Sequence, residues 1–267
     1  MKHEKTSNKV SVDLQTHELW YLAKLFAPGL IFGVEDPSEG LSEEEILSND
    51  RQAQVTLEKA GMIRYSNAGQ LIIDEMLGAM IFSCIKSNHI LILTDKNINQ
   101  KWYYFFLPNW QLELKKESDV YKLTHFSNRQ ILLSTILDNV KLRSDQFGEK
   151  QEFFIKERYL ELAAFLYDSG KKEKSAIILE ENLIGEIPER NEFIQGYNKS
   201  ENHYVFDIML TDNNEESIIQ EKYEILQNNS SLYWLSRFVN DMNEEKIIHF
   251  QSISSDDLKD LIDYVVP

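Results

Sequence analysis

The spacing of hydrophobic positions changes several times along the chain, and each change predicts a different element. Apolar residues at helical spacing predict a first helix that begins at a capping Thr16 and ends at Pro28-Gly29. Ser42 and Glu45 have the spacing of a capping box, which predicts a short helix through Leu47. The other elements predicted before residue 88 are a helix at about Arg51–Ala60, a hairpin of Met62–Tyr65 and Gln70–Ile73, and a helix at about Asp74–Lys86.

From Asn88 onward the apolar runs become short and alternating, and polar turns separate them. This pattern predicts an antiparallel meander rather than further helices. Ser127, with Gln130 at the capping-box position, then predicts a helix through Val140. The predicted strands of this meander are Ile90–Thr94, Trp102–Leu107, Trp110–Lys115 and Tyr121–Phe126.

The same order of elements recurs in the second half. Residues 142–151 lack periodicity, so we expect a first α+β half at 1–141, a linker at 142–151 and a second half at 152–267. The elements predicted in the second half are helices at 152–168 and 171–184, a loop at 185–202, strands at Tyr204–Thr211, Ser217–Leu226, Leu232–Val239 and Lys246–Ile253, and a helix at about Ser255–Val265.

Short stretches of similar sequence indicate an internal repeat. Leu91–Asn97 aligns with Ile208–Asn214, and Val120–Ser127 aligns with Ile247–Ser254. The helices that open the halves also agree, with Leu22-Ala23-Lys24-Leu25 beside Leu162-Ala163-Ala164-Phe165. The predicted fold is therefore α+β, with two quasi-repeated halves whose meanders form a shared central sheet. Joining the two meanders removes exposed strand edges, which are sites of aggregation.

The charge of the chain argues against nucleic acid and membranes as partners. The 267 residues include 28 Lys and Arg and 44 Asp and Glu, a net charge of −16. Such a field repels phosphate backbones and anionic lipids. Residues 1–141 carry 15 basic and 18 acidic side chains, and residues 142–267 carry 13 and 26. The acidic second half is either a solvated surface or a face that steers a basic partner.

Neither export nor membrane insertion is expected. Residues 1–12 are polar and lack the apolar core of a signal peptide. No uncharged run approaches the roughly 20 residues that span a bilayer. The expected location is the cytoplasm.

The sequence contains no recognisable motif for chemistry. Phosphate-binding glycine patterns, paired metal ligands, an EF-hand loop and a nucleophile elbow are all missing. The six histidines are far apart, and the single Cys84 lies among apolar residues. We therefore expect no catalytic residue, no metal, no cofactor and no enzymatic activity, although a site assembled in space would not show in the sequence.

Clusters of aromatic residues are the more informative feature. Trp102–Phe106 places five aromatic residues in a row on one predicted strand, where successive side chains point to opposite faces. Either the chain itself covers both faces, or a partner covers one of them through an interface rich in Trp and Tyr. Trp110, Tyr233 and Trp234 are the predicted anchors of such an interface.

Several N-terminal patterns resemble one protein family. They are the helix at Glu18–Leu22, an Ala-x-x-x-Leu-x-x-x-Gly-Met-Ile segment at Ala53–Ile63, and Leu71–Asp74 leading into a helix. This order is similar to that of the EspG-type chaperones of type VII (ESX) secretion systems, and within them to the EsaE-like proteins of low-GC Gram-positive bacteria. The resemblance implies two quasi-symmetric α+β halves around a central sheet. It also implies a cytosolic chaperone that binds a helical secretion substrate of the WXG or LXG type, or its toxin.

Three other functions remain open on the sequence. Residues 42–73 have the helix, helix, hairpin order of a winged-helix regulator, but the candidate recognition segment offers only Arg51 and Lys59 as cations. An immunity protein would use the acidic half to neutralise a basic toxin. An enzyme would place titratable groups in a deep pocket, whereas a chaperone would present an apolar surface.

Overall fold

The computed structural model of the chain describes an α+β protein. It covers residues 4–6, 8–26, 31–140, 151–185, 190–198, 203–211, 217–227, 233–240 and 246–266. Pro28-Gly29 and nearly all of the predicted linker at 142–151 lie outside the described residues. No helix in the described part of the chain is long and apolar enough to cross a bilayer.

In the first half, two leading strands, several helices and a small hairpin precede the meander. In chain order they are β1 (Glu4–Thr6), β2 (Lys9–Gln15), α1 (Thr16–Phe26), α2 (Glu43–Lys59), β3 (Ile63–Tyr65), β4 (Leu71–Ile73), α3 (Glu75–Lys86), β5 (His89–Asp95), β6 (Gln100–Leu107), β7 (Trp110–Glu117), β8 (Val120–Phe126) and α4 (Arg129–Val140).

The second half also begins with a leading strand, continues through helices to a four-strand meander and ends with a closing helix. Its elements are β9 (Glu152–Lys156), α5 (Glu157–Asp168), α6 (Lys172–Asn182), β10 (Leu183–Gly185), α7 (Arg190–Asn198), β11 (His203–Thr211), β12 (Ser217–Gln227), β13 (Tyr233–Asn240), β14 (Lys246–Ile253) and α8 (Ser255–Val265).

One large sheet takes all strands except the β3–β4 hairpin, in the order β1-β2-β8-β7-β6-β5-β11-β12-β13-β14-β9-β10. This confirms the predicted α+β fold with a shared sheet. Each meander keeps its sequence order, and each leading strand pairs antiparallel with the last strand of its own meander. Thus Lys9–Gln15 pairs with Val120–Phe126, and Glu152–Lys156 pairs with Ile247–Gln251.

Packing divides the chain into two compact units that interleave in sequence. The first unit comprises Met1–Leu91, Lys101–Leu132 and Leu210–Ile218, and the second comprises Ile92–Gln100, Leu133–Met209 and Ile219–Pro267. Most of β5 therefore belongs to the second unit, together with the strand β11 that it pairs with.

Capping side chains define the first residues of two helices. Ser42 caps α2, and its amide donates to the Glu45 carboxylate at 2.8 Å, which completes the predicted capping box. Ser254 and Asp257 form the same arrangement at the start of α8. Satisfying the free amides of a first helical turn in this way fixes where the helix begins.

Two predictions about the first half were wrong. The segments predicted as two short helices form the single helix α2, because Ala53 and Leu57 continue the helical spacing and are buried where α2 packs on α1. The helix α4 is capped one residue later than predicted, since the Asn128 side chain accepts a hydrogen bond from the amide of Ile131 at 3.0 Å.

The polar N-terminal tail contains a strand that the sequence analysis missed. In β2 the apolar residues Val10, Val12 and Leu14 alternate with polar ones, and Val12 and Leu14 are buried. This period of two is a strand signal. Because polar residues surround this segment, it was not predicted as a strand. Its pairing with β8 stabilises it.

Two predictions about the second half were also wrong. Residues 152–156 are the strand β9 rather than the start of a helix, because Phe153 and Ile155 point into the core while the backbone pairs with β14. The predicted loop at 185–202 contains the helix α7, whose Phe193 and Ile194 are buried.

The second unit is built around an aromatic core. The Phe153 ring stacks on that of Phe250 at 4.9 Å and meets those of Phe193 and Trp234 edge-on at 5.0 and 5.2 Å. These rings come from β9, β14, α7 and β13, so one cluster fixes three strands and a helix. Stacked and edge-on ring pairs of this kind add stability beyond their buried area.

Gly33 provides a test of packing in the first unit. Both Gly33 and Gly40 have a φ of +80°, but a Cβ at Gly33 would lie 2.5 Å from the Tyr103 ring, while one at Gly40 would meet nothing within 4 Å. We expect Gly40→Ala to cost about 1–2 kcal/mol through backbone strain alone. Gly33→Ala should cost roughly 1–3 kcal/mol more through the clash. Equal losses in urea denaturation would show that the Tyr103 ring moves aside freely.

Candidate partner-binding surface

The run of five aromatic residues on β6 is covered by the chain itself. Trp102, Tyr104, Phe105 and Phe106 are buried, and Tyr103 is half-buried with its ring 5.9 Å from that of Phe32. Successive residues of this strand face opposite sides of the sheet, so both sides carry buried aromatic groups here. This run does not offer a partner an aromatic surface.

The three predicted anchors lie in different environments. Trp110, at the start of β7, is half-buried, and its indole ring lies 3.9 Å from the His125 ring. Burial lowers the pKa of His125, so the imidazole is held neutral beside the indole. Trp234 is 3% exposed and belongs to the aromatic core of the second unit. Tyr233 begins β13, where it pairs with Ile253 of β14. The role of all three in partner binding stays a prediction.

An exposed apolar stripe that sequence reasoning missed lies on α5. Leu160, Ala163 and Tyr167 face the core, whereas Leu162 and Phe165, on the opposite side of the helix, are 41% and 66% exposed. Side chains three positions apart on a helix are neighbours, so these two form one continuous apolar surface.

One residue of this surface differs in exposure from the first-half residue that the sequence match aligns with it. The sequence match pairs Leu22 of α1 with Leu162, and Leu25 with Phe165. Leu22 is completely buried, whereas Leu162 is 41% exposed. The second aligned pair is exposed in both halves, since Leu25 is 41% and Phe165 66% exposed. The exposure of these side chains, rather than the sequence pattern, identifies the surface.

Hydrogen bonds hold α5 rigidly from its inner side. The Ser175 hydroxyl of α6 donates to the carbonyl of Ala163 at 2.7 Å. The Asn198 amide of α7 donates to the carbonyl of Ala164 at 3.0 Å. The helix is therefore fixed by α6 and α7, and its outer stripe is presented on a supported element, which favours binding without a large ordering cost.

The electrostatics beside α5 are dominated by carboxylates. Burial, together with the nearby Glu224, Glu161 and Glu157, raises the pKa of Tyr197 to about 12, so its hydroxyl stays neutral. Glu157 and Glu161 belong to α5 itself, and Glu161 is exposed. One flank of the apolar stripe is therefore negatively charged.

Glu224 is held ionised by hydrogen bonds with two neighbouring side chains. Burial opposes its ionisation, but Lys222 at 2.8 Å and His203 at 3.2 Å bond its two oxygens and lower its pKa to about 2. A carboxylate with such a pKa does not exchange protons near neutral pH. Its evident role is to join β11 to β12.

Candidate groups for chemistry are sparse in the described part of the chain. There, no three or more His, Cys, Asp or Glu side chains converge as metal ligands would. Burial raises the pKa of the Cys84 thiol, which keeps it protonated and unreactive.

These features define the class of the fold: two α+β halves with a common strand order, whose meanders occupy neighbouring positions in one sheet. The chain is similar to a solved structure of the type VII secretion system chaperone EspG5 of Mycobacterium tuberculosis, determined in complex with the PE25–PPE41 dimer. The TM-score is 0.62 over 93% of each chain, at 7% sequence identity, so the likeness is one of fold. No protein-family model matches the sequence, and no curated protein sequence matches it.

Truncating the two tryptophans tests their different environments. We expect Trp234→Ala to lower the free energy of unfolding by about 3–5 kcal/mol, because it leaves a cavity among the rings of the second unit. Trp110→Ala, at a half-buried site, should cost roughly 1–2 kcal/mol. Chemical denaturation followed by far-UV circular dichroism measures both. A Trp234→Ala protein as stable as Trp110→Ala would contradict the placement of Trp234 in the core.

The low pKa of Glu224 makes a pH prediction with a definite sign. A carboxyl group whose pKa is lower in the folded than in the unfolded chain stabilises the fold at pH values above its ordinary pKa of 4.5. This stabilisation is lost as the pH falls toward about 2. Glu224→Gln should therefore destabilise the protein at neutral pH by roughly 1–3 kcal/mol and flatten its acid unfolding. The exposed Glu181 of α6 is the control, and Glu181→Gln should unfold with acid as the wild type does.

Proposed function

We propose that the chain is a cytosolic chaperone that binds a helical type VII secretion substrate of the WXG or LXG type. It keeps that substrate soluble and helps deliver it to the secretion machinery. The exposed outer stripe of α5 carries the proposal, because Leu162 and Phe165 present an apolar surface on a helix that is supported from its inner side. The fold shared with a secretion chaperone supports the proposal.

The stripe has the chemistry that an amphipathic helix requires. A helix that lays its apolar face on another buries side chains at i, i+3 and i+4. Leu162 and Phe165 have this spacing, and burial of their exposed parts would contribute about 1.5–3 kcal/mol for the pair together. Two such residues on a rigid helix act as a small binding centre, which is how most interfaces concentrate their affinity.

Polar groups at the border of the stripe supply orientation. Arg158 lies at the N-terminal end of the stripe, with its guanidinium 4.7 Å from the Tyr159 ring. Glu161 and Asp168 are exposed along one flank. An apolar centre with a charged border is the usual anatomy of an interface between proteins that also exist apart. Binding of this kind needs no nucleotide and no catalytic group.

Substitution of the stripe tests the proposal without disturbing the core. In the double variant Leu162→Gln/Phe165→Gln, glutamine keeps the helix propensity of α5 and removes the apolar surface. We expect substrate affinity to fall at least about tenfold, with stability changed by less than about 1 kcal/mol. Tyr264→Gln on α8 is the control, because Tyr264 is similarly exposed, at 70%, but lies on another helix.

The measurement is affinity purification of the three tagged proteins from the native lysate at moderate salt, with mass spectrometry, followed by titration of the purified partner. A helical WXG- or LXG-type protein should co-purify with the wild type and with Tyr264→Gln, and be lost with the double variant. Recovery of that protein by the double variant would refute the role of α5. Recovery of a toxin domain without a helical secretion module would instead favour the immunity-protein function.

A further inference from the structure

A row of polar side chains crosses the sheet of the first unit at the middle of β7. Glu113 pairs with Tyr104 of β6 on one side and Thr124 of β8 on the other, and Thr124 pairs with Ser11 of β2. Residues directly opposite each other in antiparallel strands project from the same face of the sheet. These four side chains are therefore neighbours across four adjacent strands. The Ser11 and Thr124 hydroxyls share a hydrogen bond of 3.0 Å.

Glu113 is the incompletely satisfied member of this row. Its side chain is 5% exposed, and Tyr104 and Thr124 are buried beside it. The Tyr104 hydroxyl donates a hydrogen bond to the carboxylate. The Oε2 atom has no hydrogen-bond partner among the described residues. Burying an ionised carboxylate with an oxygen left bare costs far more than burying the neutral acid.

The charges that face Glu113 do not compensate for its burial. They are the ammonium groups of Lys115 on its own strand, Lys9 on β2 and Lys122 on β8, and with Tyr104 they complete the titratable groups that act on it. Burial nevertheless dominates and raises the pKa of the Glu113 carboxyl. Glu117 on the same strand shows the opposite shift, because a hydrogen bond from Lys115 lowers its pKa.

We propose that Glu113 is a pH-dependent switch in the first unit. When its carboxyl group is neutral, β7 stays firmly paired with β6 and β8. When the carboxyl group is ionised, this pairing weakens. Protonation removes the buried charge, which lowers the cost of keeping this carboxyl inside the sheet. Loss of the proton leaves a buried anion that is relieved only when water enters between the strands. Partially opened strands are a normal low-energy state of a sheet.

The sign of the effect follows from the direction of the pKa shift. The folded chain binds the Glu113 proton more tightly than the unfolded chain does, so this carboxyl favours folding most below its ordinary value of 4.5. That contribution is lost as pH rises through the higher pKa of the folded state. Glu113 thus opposes Glu224, whose contribution disappears on acidification.

Amide hydrogen exchange of the full-length protein between about pH 5 and about pH 8, corrected for intrinsic rates, tests the switch. In the wild type we expect protection of the β6, β7 and β8 amides to fall several-fold as pH rises. Glu113→Gln should remove this decline and keep these amides protected at the upper end. Glu117→Gln, an exposed carboxylate on the same strand, should keep the wild-type decline.

A wild-type decline that persists in Glu113→Gln would overturn the proposal, as would a Glu113→Gln protein that is less protected at every pH. Infrared spectroscopy gives a second readout that does not depend on that variant. A protonated-carboxyl band should titrate in the wild type above the range of ordinary glutamates. In Tyr104→Phe, which loses the donor to the carboxylate, it should titrate at still higher pH. Absence of such a band, or no shift in Tyr104→Phe, would refute the switch.

Discussion

Pairing of each leading strand with the last strand of its own meander is the constraint on which the rest of the structure depends. In the first half β2 pairs with β8, and in the second β9 pairs with β14. Because α1 and α5 follow these strands directly, the pairing sets where each helix begins relative to its sheet. It also brings Phe153 beside Phe250, from which the aromatic core of the second unit is built. Strand pairs this distant in sequence close long loops, so they form only when the buried surface repays the lost chain entropy.

Sequence patterns predicted the elements governed by local physics. The capping box at Ser42 and the strands of both meanders are properties of a few neighbouring residues, and the structure confirms them. Tertiary pairing decided the rest. The run from Phe153 to Ile155 fits either a helix or a strand, and only its partner β14 makes it a strand. The short helix α7 has too few apolar residues to be predicted alone, yet Phe193 completes the core.

The candidate site was less predictable than the fold, for a physical reason. An aromatic residue on a strand faces either the core or a partner, and the sequence does not distinguish them, as the buried Trp234 shows. Exposure of an apolar residue depends on which distant element covers it. Leu22 and Leu162, which the sequence match aligns, illustrate this, since the first is completely buried and the second is 41% exposed.

The exposed surface of α5 has a cost in folding free energy. Leaving Leu162 and Phe165 exposed forgoes a few kcal/mol of folding free energy in one half. The same surface then becomes available for association, while hydrogen bonds from α6 and α7 keep the helix fixed. An apolar stripe of two residues with a charged flank is small enough to stay soluble in a chain of net charge −16. Mutual repulsion between copies of such an acidic chain opposes their association through this surface.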